Sequence, residues 1–162
     1  MKSILVPIDF SDATPRVLDE AKQIAHAFGA EIHLVHVKEA IPAAPSTTFG
    51  YGVAGMPEFM PMSTSPALDP EAAPPAMEES REAKLADWQT EISQAGLKVT
   101  LHEPSGAVVE EILRKADAIN PDLIVMGRHG HGAMYNLLVG SVTEGVLKRS
   151  ACPVLLVPTP RI

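Results

Sequence analysis

One cysteine, Cys152, is all that this 162-residue chain carries. No internal disulfide can form, and a reducing cytoplasm is the expected setting. Basic residues are few: 13 Lys and Arg stand against 20 Asp and Glu, a net charge of −7. That balance argues against a nucleic-acid-binding surface. No apolar stretch approaches the roughly 20 residues needed to span a bilayer, so no membrane insertion is expected. The first residues run directly into Ile4-Leu5-Val6 with one lysine and no signal-peptide pattern. Internal repeats are absent. No Gly-x-Ser-x-Gly elbow occurs, which removes the commonest serine-hydrolase reading. His129 and His131 have no Cys or carboxylate at zinc-like spacing, and His33 and His36 would face opposite sides of a strand, so no metal site is expected.

What is present is a strict alternation of short apolar runs and amphipathic stretches. At 46% hydrophobic and 20% charged, the chain has the composition of a globular protein. Ser3–Ile8, Glu31–Val37, Leu97–Leu101, Leu123–Met126 and Val154–Val157 read as buried strands. Helical spacing links Ala13, Val17, Ala21, Ile24, Ala25 and Phe28, with Ser11 or Thr14 as the cap, Pro15 in the first turn and Gly29 at the end. Leu85, Trp88, Ile92 and Ala95 form a second stripe, stopped by Gly96, beside a charged face of Glu78, Glu79, Arg81, Glu82 and Lys84. Ser105 is expected to cap a third helix carrying Val108, Val109, Ile112, Leu113, Ala116 and Ile119; the last helix runs from Ser141 to Arg149. Alternation of this kind predicts an α/β fold: one doubly wound domain over residues 1–162, with a five-stranded parallel sheet and helices on both faces. The expected strand order is 3-2-1-4-5, with 2-1-3-4-5 as its rival.

One segment departs from the pattern. Residues 41–77 hold eight of the 15 prolines and four of the seven methionines. Connections of this kind usually span about 2–6 residues, and the proline density opposes helix or central strand. The segment reads either as a disordered insertion or as a lid whose Phe49, Tyr51 and Phe59 cover a bound base. Equal proteolysis rates with and without nucleotide would remove the lid.

The densest chemical signal lies after the fourth strand. Gly127, Gly130 and Gly140-Ser141 give the spacing Gly-x2-Gly-x9-Gly-Ser between a strand and a helix start. Glycines let backbone approach a ligand closely. The amides at a helix start, with the positive end of its dipole, favour an anion such as phosphate. A tight chain reversal is the plainer alternative, and it accounts for one glycine better than for the spaced set. Arg128 is either a bidentate phosphate donor or a solvated loop charge. The loop lacks the Lys-Ser/Thr ending of a P-loop. In the order 3-2-1-4-5, strands 1 and 4 adjoin at the switch point, which brings Asp9 to the same crevice. Asp9 suits a ribose hydroxyl or, through a divalent ion, phosphate; its alternative is a cap of the first helix. Cys152 and Met134 read as packing residues.

These residues resemble the universal stress protein family. The glycine spacing matches that family's nucleotide-binding signature. Ile4-Leu5-Val6-Pro7-Ile8-Asp9-Phe10-Ser11 looks like its first strand, Asp122–Gly127 like its fourth, and Cys152–Val157 like its fifth. The resemblance covers nearly all the chain except residues 41–77. It implies an ATP-binding regulatory protein with Mg2+ or Mn2+. Asp9 would lie at ribose or metal, backbone near Val37 would read the base, and Gly127, Gly130, Gly140, Ser141 and Thr143 would hold phosphates. Pro7, Met126, Arg128 and Val142 complete the candidate contact set, which contains no catalytic residue. The same resemblance implies a homodimer. The sequence has its own reason for one: Val154–Val157 is expected at a sheet edge, where a second copy, or the tail Pro158–Ile162, would cover it. A regulatory protein partner is also implied. A slow ATP hydrolase or phosphotransferase, and a nucleotide-free interaction module, are the alternatives.

Overall fold

Ser3–Pro7 (β1) and Leu123–Gly127 (β6) lie side by side at the centre of a five-stranded sheet. The computed structural model describes residues 1–39, 75–128 and 139–158. Between the two central strands in sequence come Thr14–Phe28 (α1), Glu31–Val35 (β2), Lys38–Glu39 (β3), Pro75–Gln94 (α2), Val99–His102 (β4), Ser105–Gly106 (β5) and Val108–Ile119 (α3). Ser141–Arg149 (α4) and Val154–Val157 (β7) follow. The sheet order is β4-β2-β1-β6-β7, and every pairing is parallel. Renumbered over the main sheet this is 3-2-1-4-5, as the alternation predicts; the rival order is excluded. The lid or insertion reading of residues 41–77 falls almost wholly outside the described residues, with Phe49, Tyr51 and Phe59.

Alternate residues of the strands feed two core layers. Ile4, Val6, Ile32, Leu34 and Val125 pack on one face with Val17, Leu18 and Ala21 of α1 and Leu85 and Ile92 of α2. Leu5, Val35, Ile124 and Met126 pack on the other with Ile112 and Ala116 of α3 and Val146 of α4. Burial on both faces is why these strands read as unbroken apolar runs.

Three local expectations are corrected. Neither Ser11 nor Thr14 caps α1: Ala13 occupies the cap position without a side-chain bond, while Ser11 and Thr14 both donate to Asp9. Ser105 does not cap α3 either; it belongs to β5, which pairs with β3 in a separate two-stranded sheet, and Ala107 precedes the helix. Strand ends also shift, β1 and β2 stopping at Pro7 and Val35 and β4 running from Val99 to His102. Propensity sees the apolar run, whereas pairing with a neighbour sets where a strand ends. Gly29 closes α1 in the left-handed conformation, φ 66°, as expected.

Two features lead to measurable outcomes. Gly145 of α4 lies against α3: a Cβ there would stand 2.9 Å from Val109 Cγ2. Alanine normally exceeds glycine in a helix by about 1 kcal/mol. Here the stiff β-branched neighbour reverses the sign, and Gly145→Ala is expected to destabilise by about 1–2 kcal/mol in urea unfolding. At the opposite end of the sheet, the Asp122 carboxylate accepts the Lys2 and Ser3 amide N–H groups and joins the starts of β1 and β6. Those bonds, that from Lys2 foremost, hold its pKa below the ordinary aspartate value. A depressed folded pKa contributes stability above the unfolded value and loses it as pH falls through the folded one. Asp122→Asn is therefore expected to flatten the acid limb of the stability profile below about pH 4 and to leave its shape near neutrality unchanged.

Candidate functional site

The strand order reverses direction between β1 and β6, and in open α/β sheets the crevice for a ligand lies outside the carboxyl ends of the strands at such a switch point. Pro7 ends β1, and Ile8 turns away with its amide donating to Val35 O at 2.9 Å. Asp9 follows, exposed at the mouth. Its Oδ1 accepts the Ser11 amide at 3.1 Å and lies 3.4 Å from the Thr14 hydroxyl. The capping alternative for Asp9 is thus partly realised: one of its oxygens ties the turn to the start of α1.

Phe10 fixes that turn, and the sequence reading missed it. Its φ is 60°, left-handed backbone in a residue other than glycine, at a cost of roughly 1–2 kcal/mol. Aromatic packing offsets the cost. The ring meets His36 edge-on at 4.6 Å and stacks with Trp88 of α2 at 5.4 Å, and the Arg81 guanidinium lies 5.9 Å from its centre. His36 Nδ1 also lies 3.2 Å from Ile8 O. Asp9 is therefore presented by a segment clamped from β2 and α2.

Val37 lies just beyond β2, buried. Backbone groups of alternate residues point to opposite sides of a strand. His36 N bonds to His102 O and Lys38 N to Pro104 O, both on the β4 side, whereas Val35 O bonds toward β1. The polar backbone of Val37 accordingly faces the crevice, past the point where β1 has ended.

On the other wall, the loop after β6 is closed at its neck. Arg128 N donates to Val157 O at 3.0 Å, and Gly140 N donates to Arg128 O at 2.9 Å. Thr143, 3% exposed, donates its hydroxyl to Gly127 O at 3.0 Å. The start of α4 is thereby fixed against the end of β6. Gly140 is the N-cap residue and supplies no side-chain bond. The first main-chain bond of the helix runs from Glu144 N to Gly140 O, so the Ser141, Val142 and Thr143 amides have no intrahelical acceptor. Ser141 is exposed and Val142 half-buried. Met126 is 4% exposed, its side chain in the core, so only its backbone can meet a ligand.

Pro7, Asp9, Val37, Met126, Gly127, Arg128, Gly140, Ser141, Val142 and Thr143 thus lie at or beside the carboxyl ends of β1, β2 and β6. Gly130, His129, His131 and Met134 lie outside the described residues. Cys152 behaves as a packing residue: its thiol donates to Pro121 O at 3.1 Å, and burial, with the nearby Asp122 charge, raises its pKa. His33 and His36 have separate partners, as their strand positions predict; His33 meets His102 of β4, which the sequence did not reveal. Among the described residues no group of three or more His, Cys, Asp or Glu is placed to hold a metal ion. Among them, too, no helix is long and apolar enough to cross a membrane.

The family model described as universal stress protein family matches residues 1–57 and 56–158. Universal stress protein MJ0577 of Methanocaldococcus jannaschii is 32% identical over 158 residues, 96% of this chain and 94% of that protein. The solved structure of MJ0577 superposes with a TM-score of 0.74 and 27% identity, covering 99% of this chain and 98% of the other. A universal stress protein solved in complex with cAMP shares the fold, with a TM-score of 0.65, 23% identity and 98% coverage of each chain. So does the universal stress protein from Archaeoglobus fulgidus in complex with dAMP, with a TM-score of 0.61, 20% identity, and 96% and 97% of the two chains covered.

Proposed function

The chain belongs to the universal stress protein family, and on that premise we propose that it binds ATP in the crevice between β1 and β6, with residues 1–162 acting as one nucleotide-binding domain. The observation that carries the reading is the start of α4. Three consecutive amides without an intrahelical acceptor stand beside the end of a glycine-punctuated loop, and a helix dipole adds to their positive potential. Polyphosphate is the ligand chemistry that such a donor set suits. Gly127, Gly130 and Gly140 let backbone close on the phosphates, Arg128 adds charge, and Ser141 adds a hydroxyl. Thr143 contributes its amide while its hydroxyl holds the loop neck. Val37, with the backbone of Pro7 and Met126, serves the base and ribose side. Asp9 takes a ribose hydroxyl, or faces phosphate through Mg2+ or Mn2+, which would neutralise the repulsion between carboxylate and phosphate. The relatives solved with cAMP and dAMP support an adenine nucleotide as the ligand class.

Binding coupled to assembly fits this site better than rapid turnover. Asp9, the carboxylate just beyond the end of β1, already ties the α1 turn through one oxygen, and hydrolysis needs a group that orients water. Nucleotide occupancy would set the state of a homodimer, or of a complex with a regulatory protein, in the cytoplasm. The dimer would form along β7, an edge strand of the sheet, where Leu155 is 38% exposed. Sedimentation is expected to give a dimer at micromolar concentration; monomer alone would remove that part. Mass spectrometry of the small molecule released on denaturation, with calorimetry of ATP and Mg2+, tests the ligand. An adenine nucleotide bound one per chain is expected. No released nucleotide and no heat would instead favour an empty interaction module.

A further inference from the structure

On the sheet face opposite α1 and α2, two histidines from different strands meet. His33 of β2 stands opposite Thr100 of β4, and Val35 opposite His102, so the two imidazoles are diagonal neighbours on one face. His33 Nδ1 and His102 Nε2 lie 3.3 Å apart, the rings tilted by 29° with centres 5.5 Å apart. Both residues are half-buried, restrained by the sheet yet open to solvent.

We propose that His33 and His102 form a two-histidine site for one divalent transition-metal ion, of the class of Zn2+, Ni2+ or Cu2+. The separation is within hydrogen-bond reach, at its long end, the mode being about 2.9–3.0 Å. It matches the roughly 3.3 Å between two nitrogens bound at ~2.0–2.1 Å to a tetrahedral ion. Imidazole is the donor that this class of ion prefers. The charges around the pair are mixed. Burial, Lys115 of α3 and His33 act on His102 against positive charge, and Glu31 of β2 acts in favour of it. Glu31 accepts the Thr100 hydroxyl at 2.9 Å, which fixes it beside the pair. No third His, Cys, Asp or Glu among the described residues completes a cage, so water occupies the remaining coordination positions. One ring donates to the other in the metal-free pair. When the ion takes both lone pairs, the donor ring moves its proton to its outer nitrogen, with no net proton released. The site is independent of nucleotide binding.

The test is thermal unfolding of the nucleotide-free full chain in NiCl2 or ZnCl2, and again after EDTA. A metal-dependent rise in Tm of roughly 3–8 °C, reversed by EDTA, is expected. His33→Gln and His102→Gln should each lose it, and the double variant His129→Gln/His131→Gln should keep it. Cu2+ electron paramagnetic resonance of the unaltered chain should show two equivalent-class nitrogen couplings, an outcome that does not depend on any variant folding. No metal response in the unaltered chain, or a full response in His102→Gln, overturns the proposal.

Discussion

Ser141→Asp is expected to weaken ATP binding by about a hundredfold or more and to leave the fold as stable as before, or slightly more so. The two effects have opposite signs because the same field acts on both. Ser141 begins α4, is exposed, and makes no capping bond. An acidic side chain in a first helical turn is favoured by the dipole, typically by about 0.3–1 kcal/mol. The same carboxylate would stand where phosphates are to be received, and like charges a few ångströms apart in a partly desolvated crevice repel strongly. Ser141→Ala separates charge from hydroxyl: it removes one donor and leaves the amides, so a loss of about tenfold or less is expected. Calorimetry gives the affinities and urea unfolding the stabilities. Equal affinity in Ser141→Asp would move the phosphates away from α4.

The second large effect is on the sheet. Leu5→Ala is expected to cost about 3–5 kcal/mol, against total stabilities of about 5–15 kcal/mol for natural domains. Leu5 is fully buried at the middle of β1, opposite His33 in β2 and Ile124 in β6. Its side chain sits in the layer beneath α3 and α4 with Val35, Ile112 and Ile124. A strand paired on both sides has little freedom to collapse around the void, so both transfer and cavity losses apply. Urea unfolding should show a lower midpoint with an unchanged slope. Residual nucleotide binding at low temperature would follow, because β1 and β6 position Asp9 and Gly127 only while the sheet is intact.

Elements that depend on local pattern were legible in the residues. Ser141–Arg149 and Val154–Val157 have the bounds that their spacing predicts. Strict alternation and right-handed crossovers left two strand orders, of which the preferred 3-2-1-4-5 is the one observed. Features that depend on distant partners were not legible. Phe10 has no local reason to be left-handed; its conformation is held by His36 and by Trp88, 78 positions further along. Ser105 resembles a cap in sequence, but pairing of β5 with Lys38–Glu39 takes it into a strand. The meeting of His33 with His102 requires the register of β2 on β4. Of the candidate site, the places of Gly127 and Asp9 at and just beyond strand ends could be read directly, since the apolar runs before them stop there. The role of Thr143 as the bolt between α4 and Gly127 could not, because a buried hydroxyl looks the same in sequence whatever it bonds.

Amide-resolved NMR of the uniformly 15N-labelled chain during titration with ATP and Mg2+ addresses the proposed phosphate cradle most directly. The largest shifts are expected at Ser141, Val142 and Thr143, with a second set at Val37 and Asp9 on the other wall of the crevice. Unperturbed α4 amides at saturating ATP, or shifts confined to other surfaces, would contradict the account.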